Sequence, residues 1–148
     1  MSAVAEAALA EARGWIGTPY VHQASAKGAG CDCLGLVRGV WRVLYGREPE
    51  AVPGYTSDWS EFDGRERLAE AAGRHLLPCR PGDEAAGQVI LFRMRDRAVA
   101  KHLGILAGTG AGASFVHAFS GHGVVESPLS VPWRRRIVAR FAFPERVD

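Results

Sequence analysis

The sequence predicts an α+β fold, and two features carry that reading. The first half holds helix-forming segments with an apolar stripe of helical period, and the second half holds short β-branched or aromatic runs punctuated by Gly, Pro or polar residues. Helices first and strands afterwards, without βαβ alternation, imply helices layered on a mostly antiparallel sheet. A length of 148 residues suits one domain spanning 1–148, because one core serves roughly 100–200 residues. Such a chain buries enough surface to need no disulfide or metal staple.

Each element has its own justification. Residues 3–13 (AVAEAALAEAR) are strong helix formers, and the stretch from Gly14 to Pro19 stops the run. Residues 20–30, rich in Gly, Ala and Ser, read as a loop. From Cys33 the apolar residues fall at Leu36, Val37, Val40, Trp41 and Leu44, the stripe of a buried helix with Cys33 at its start. Gly35 and Gly39 lie one turn apart on that helix, where missing side chains admit another segment closely, at about 1 kcal/mol of helix propensity each. A third helix is expected over 62–75, after a turn-rich 53–60. The runs 88–92 (QVILF), 102–106 (HLGIL), 114–119 (SFVHAF), 123–126 (GVVE) and 136–143 (RIVARFAF) are the expected strands.

Composition narrows the function classes. Eighteen basic and sixteen acidic residues leave a net charge of +2, too balanced for a nucleic-acid or membrane-surface footprint. No apolar run approaches the roughly 18 residues of a membrane span. The N-terminus carries Glu6 where a signal peptide carries base, so synthesis in the cytoplasm without export is expected. Sixteen of the eighteen basic residues are Arg, a bias attributed to a GC-rich genome, and the chain contains no Asn. Any polar group that orients a catalytic base is then His, Asp, Glu or Gln. Three cysteines, Cys31, Cys33 and Cys79, are an odd number, which argues against a disulfide framework.

Chemistry is argued from Cys33. A helix N-terminus places partial positive charge beside a thiol and favours the thiolate, as does a nearby His, so Cys33 is expected to alkylate faster than Cys31 or Cys79. His102 and His117 sit in adjacent runs joined by the glycine-rich 108–112, a hairpin connection. With Leu106 opposite Ala113, His102 lies directly opposite His117. A two-residue shift keeps both rings on one face, and a one-residue shift separates them. The hairpin thus offers a base and its orienter, the logic of a triad. Each residue alone also fits a plainer role, a buried Cys as a small hydrophobe and a His as a satisfied core residue. Cys31-x-Cys33 lacks the C-x2-4-C spacing of structural zinc sites, so no metal is expected. Cys79 reads as a loop thiol, Arg134-Arg135-Arg136 as a solvated face or docking patch, and His22, His75 and His122 have no geometry arguing for them.

Four motifs in order carry a family resemblance: Gly17-Thr18-Pro19-Tyr20, Gly30-Cys31-Asp32-Cys33-Leu34-Gly35-Leu36-Val37, His102-Leu103-Gly104-Ile105 and Val116-His117-Ala118. Together they resemble the NlpC/P60 family of papain-like cysteine peptidases, over nearly the whole chain. Residues 17–25 (GTPYVHQAS), 30–41 (GCDCLGLVRGVW) and 133–144 (WRRRIVARFAFP) are more narrowly similar to such peptidases of phage tails and gene transfer agents. The resemblance implies a nucleophile at a helix N-terminus packed on an antiparallel sheet. It also implies hydrolysis of peptidoglycan stem peptides, typically beside D-glutamate and diaminopimelate, with no cofactor. Cys33 matches the nucleophile, His102 the base and His117 the orienting residue. Tyr20 matches a tyrosine that contacts substrate or supports the oxyanion, and Asp32 the acid before the nucleophile. Leu34 replaces a Ser that helps hold the substrate's free amino end, and Val21-His22-Gln23 lacks a common glycine pair. The expected partners are stem peptides and phage-like tail-tip or baseplate proteins, and the expected place of action is the periplasmic wall, reached in a tail assembled in the cytoplasm. An inactive structural tail part and a thiol acyltransferase on the same fold are the alternatives.

Overall fold

The structure, a computed structural model, describes residues 2–50 and 64–146. Helix α1 (Ala3–Gly14) starts where Ser2 accepts a hydrogen bond from the Ala5 N–H and buries Ala8, Leu9 and Ala12. Between it and the next helix lie two short paired strands, β1 (Ser25–Ala26) and β2 (Gly30–Cys31). The expected loop over 20–30 therefore contains a small ribbon. Two-residue strands carry no alternation long enough to be read from sequence.

Helix α2 (Cys33–Tyr45) buries Gly35, Leu36, Val37, Gly39, Val40 and Trp41 and ends at Gly46 in the left-handed conformation. Its two glycines face close neighbours. A Cβ on Gly35 would stand 1.9 Å from the Ala24 carbonyl oxygen, and one on Gly39 would stand 2.1 Å from the Trp15 ring. Both approaches pull the 15–25 segment onto α2, beside the helix start.

Helix α3 (Arg67–His75) is the later part of the expected third helix. Residues 64–66 precede it without helical structure, and the expected start at Phe62 and the turn-rich 53–60 lie outside the described residues. The strands β3 (Leu77–Pro78), β4 (Val89–Phe92), β5 (His102–Leu106), β6 (Ser114–Phe119), β7 (Gly123–Pro128) and β8 (Ile137–Ala142) form one antiparallel sheet in the order β3-β8-β4-β5-β6-β7. A short helix α4 (Val131–Arg134) with Pro132 in its first turn joins β7 to β8.

The sheet buries both faces, each with its own side chains. Val89, Leu91, Leu103, Ile105 and Val116 join the residues of α1 and α2 in one core. Ile90, Phe92, Leu106 and Phe115 pack with Leu129 and Trp133 on the other face. Burying each large side chain contributes about 1.5–3 kcal/mol, so the α2 stripe and the strands facing it anchor the fold.

Candidate active site

Asp32 sets the start of α2. One carboxylate oxygen accepts from the Gly35 N–H at 2.7 Å and the other from the Gln23 N–H, also at 2.7 Å. The residue is 2% exposed. Asp32 is the acid that the family resemblance sets before the nucleophile. In the structure its carboxylate is spent on backbone donors, because a helix N-terminus presents unpaired N–H groups that an Asp at this position satisfies. It ties the preceding loop to the helix.

Cys33 follows as the first residue of α2, and its thiol lies 3.6 Å from the Lys101 carbonyl oxygen, one residue before His102. Burial, with Asp32 adding to it, pushes the thiol up to about 12, while the N–H groups of Leu103, Leu34 and Cys33 pull the other way. Burial thus works against the thiolate that the helix start favours. Desolvation opposes a buried sulfur anion more strongly than the backbone dipoles favour it.

The loop before the ribbon is held beside Cys33 by backbone bonds. Val21 N–H donates to Cys31 O and Cys31 N–H to Pro19 O, both at 3.0 Å, and Val124 N–H donates to Thr18 O at 2.9 Å. Tyr20 rests at 36% exposure on this loop. Its phenol is pushed up to about 12 by burial first and then by Cys33 and Asp32. Leu34 is partly buried and, with Val37, Trp41, Leu68, Leu76 and Leu103, lines an apolar-floored groove of about 340 Å³ between α2 and α3.

His102 and His117 share the sheet face opposite α2. Leu106 pairs with Phe115 rather than with Ala113, so the register is two residues from the one drawn first and both rings stay on one face. The pair is diagonal, and His102 Nε2 and His117 Nδ1 are 2.8 Å apart. A partner not anticipated from sequence continues the chain of contacts, with Ser127 Oγ 2.9 Å from His117 Nε2. Alternation along β7 could have flagged Ser127, since Val125 pairs with His117 and Ser127 lies two residues on. Trp133, which the sequence singles out only as the first residue of the 133–144 segment, packs edge-on against His117 and tilted against His102 at ring separations of 5.2 and 5.6 Å. His102 is 7% exposed and His117 wholly buried. Burial, then His117, holds His102 down at about 3, and burial, then His122, holds His117 at about 4.

The remaining candidates lie outside this hydrogen-bonded chain. His122 stacks on Phe119 at the β6–β7 turn, His75 lies against Trp41, and the Cys79 sulfur is 3.8 Å from the Leu77 carbonyl oxygen. Among the described residues, no group of three or more His, Cys, Asp or Glu side chains gathers as metal ligands. Nor is any described helix long and apolar enough to cross a membrane.

No protein-family model and no curated protein matches the chain in sequence. Solved structures do match it in shape. The NlpC/P60 domain of the peptidoglycan hydrolase SagA superposes with a TM-score of 0.64 at 24% identity, over 94% of this chain and 98% of that domain. The fold is that of the NlpC/P60 domains. An NLP/P60-family protein similar to lipoprotein from Staphylococcus aureus matches with a TM-score of 0.62 at 18% identity, over 96% of this chain and 42% of that one. NlpC1 from Trichomonas vaginalis matches with a TM-score of 0.61 at 19% identity, over 94% of this chain and 43% of that one. The chain thus spans less than half the length of these last two NlpC/P60 proteins.

Proposed function

We propose that this chain is a cysteine peptidase that cleaves peptide bonds in peptidoglycan, with Cys33 as nucleophile, His102 as base and His117 as the residue that orients it. The observation carrying this reading is the 2.8 Å contact between the two imidazoles, and it is supported by the 3.6 Å approach of the Cys33 sulfur to the carbonyl oxygen of Lys101, the residue before His102. The NlpC/P60 fold supports the wall as substrate.

Thiol and imidazole are both neutral at rest, since the first is pushed up and the second down. The reaction then begins with proton transfer coupled to attack. The S–H leaves the Lys101 carbonyl for Nδ1 of His102 as sulfur bonds to the scissile carbonyl carbon. Catalytic hydrogen bonds are often loose in an empty site and tighten with substrate. The N-terminal dipole of α2 and the Tyr20 hydroxyl serve the developing oxyanion. His102 returns the proton to the leaving amine, and water hydrolyses the thioester.

The finer parts of the proposal rest on the resemblance. The bond is assigned to the D-glutamyl–diaminopimelate link. The segments 17–25, 30–41 and 133–144 support a place in a phage-like tail tip or baseplate, assembled in the cytoplasm and acting on the periplasmic wall. Leu34, an apolar branch in place of a hydroxyl, favours capped or cross-linked stem peptides over free-amine fragments. A site without a hydrogen-bonding partner gains little from an amine. One observation favours the inactive structural alternative, namely that the Cys33 thiol is directed to a backbone carbonyl.

Paired digestion of capped and uncapped muropeptides, read by mass spectrometry, decides between the two readings. The enzyme is expected to cut the capped substrate at least as readily, and Cys33→Ala is expected to cut neither. Undiminished cutting by Cys33→Ala overturns the catalytic assignment. Failure of the wild type on both substrates, with the thiol reduced, favours the structural part.

A further inference from the structure

Ser127 lies at the far end of the imidazole pair, on the edge strand β7, and the reaction derived above does not use it. Its Oγ is 2.9 Å from Nε2 of His117, whose Nδ1 is 2.8 Å from Nε2 of His102. We infer that Ser127 is a positioning residue: by accepting a hydrogen bond from His117 Nε2 it selects the tautomers that leave His102 Nδ1 bare and able to take the thiol proton.

The argument is one of hydrogen-bond polarity. A neutral imidazole carries one proton, so each ring in a chain of two donates at one nitrogen and accepts at the other. Only two arrangements satisfy the three groups. In the first, His102 Nε2–H donates to His117 Nδ1, and His117 Nε2–H donates to Ser127 Oγ. In the second, every direction reverses: the Ser127 hydroxyl donates to His117 Nε2, His117 Nδ1–H donates to His102 Nε2, and His102 keeps its proton on Nδ1. The second arrangement blocks the base, since a protonated Nδ1 cannot accept the S–H proton.

The two imidazoles, being chemically alike, set no preference between these arrangements. The Ser127 hydroxyl can serve either arrangement, and its partial exposure tips the balance toward the first. His117 is wholly buried, so an Nε2–H without an acceptor there would carry the cost of an unpaired buried donor. Ser127 is only partly buried, so its own hydroxyl hydrogen can turn to solvent while its oxygen accepts. Where a carboxylate would fix the base by charge, this chain relies on a hydroxyl at the edge of the sheet. Trp133 packs against both rings.

This inference rests on the proposed catalytic reading, but its test includes a measurement that does not. Nitrogen-15 NMR of the histidine side chains reports which ring nitrogen carries the proton, whether or not the protein turns over. The wild type is expected to hold both His102 and His117 as single Nε2–H tautomers. Ser127→Ala is expected to give a mixed tautomer at His117 and to lower kcat about tenfold with KM unchanged, the effect of losing one ordinary hydrogen bond. Ser127→Thr keeps the hydroxyl and should retain both properties. Ser127→Asp offers only acceptors and should keep the Nε2–H tautomer. An Nδ1–H tautomer at His117 in the wild type overturns the inference, as does a Ser127→Ala protein with unaltered tautomers. Should the wild type cleave no muropeptide, the functional reading fails while the NMR outcome still decides the role of Ser127.

Discussion

Cys33 shows how one residue can sit at a helix start and still rest as a thiol. Two opposing effects act on its sulfur, and burial with the Asp32 charge outweighs the three backbone N–H groups, so the thiol is pushed up to about 12. Below that value the thiolate fraction rises about tenfold per pH unit. Alkylation of the free protein by iodoacetamide, followed by mass spectrometry, is therefore expected to accelerate steadily at Cys33 from about pH 6 to 9. A plateau near neutral pH would mean that an ion pair already exists at rest. Asp32→Asn, which removes the charge, is expected to speed alkylation across the same range.

At the scale of elements, the start of α2 organises the site. Asp32 bonds at once to the helix through Gly35 and to the Tyr20 loop through Gln23, so a single carboxylate fixes where the nucleophile and the loop meet. Asp32→Ala removes a cap worth about 0.5–2 kcal/mol. Thermal unfolding should shift down by a few degrees, at about 2–4 °C per kcal/mol for a chain near this size. An unchanged midpoint would show that the cap is replaceable by water. Helix α4 has a comparable role on the other face, where four turn-forming residues deliver Trp133 onto His102, His117, Phe92, Phe115 and Phe119. That packing adds to the burial that holds both imidazoles down.

For the whole molecule, the buried groups set a pH window of stability. His102 and His117 stay neutral in the fold down to about 3 and 4, while in the unfolded chain they take up protons below about 6.5. The unfolded state binds more protons between those limits, so stability is full above about pH 6.5 and is lost as pH falls toward 4. On the alkaline side Cys33, Tyr20 and Tyr45 are each pushed up to about 12. Their contribution is present below about pH 9 and is lost as pH rises through 12. Melting temperatures measured from pH 4 to 8 should fall on the acid side, and a His102→Gln, His117→Gln double variant should flatten that limb. A slope unaffected by the double variant would assign the acid loss to carboxylates instead.

What sequence determines here follows from periodicity and local chemistry. The α2 stripe, the glycines at 35 and 39, the five longer strands and the same-face placement of His102 and His117 are all legible, because each depends on spacing of 3.6 or 2 along one segment. The motifs quoted from 17 to 37 and from 102 to 118 carry the NlpC/P60 resemblance that the fold then matches. Tertiary structure alone decided the rest. The hairpin register slid by two residues, a shift that alternation permits because it leaves every side chain on its own face. Trp133 reaches the imidazoles from α4 through contacts that no local pattern encodes, and Ser127, whose face follows from alternation along β7, meets His117 only through the β6–β7 pairing. The protonation of Cys33 was likewise undecidable from its helix position. The dipole that favours the anion is a property of the helix, whereas the desolvation that opposes it exists only once α2, β5 and the Tyr20 loop have closed around the sulfur.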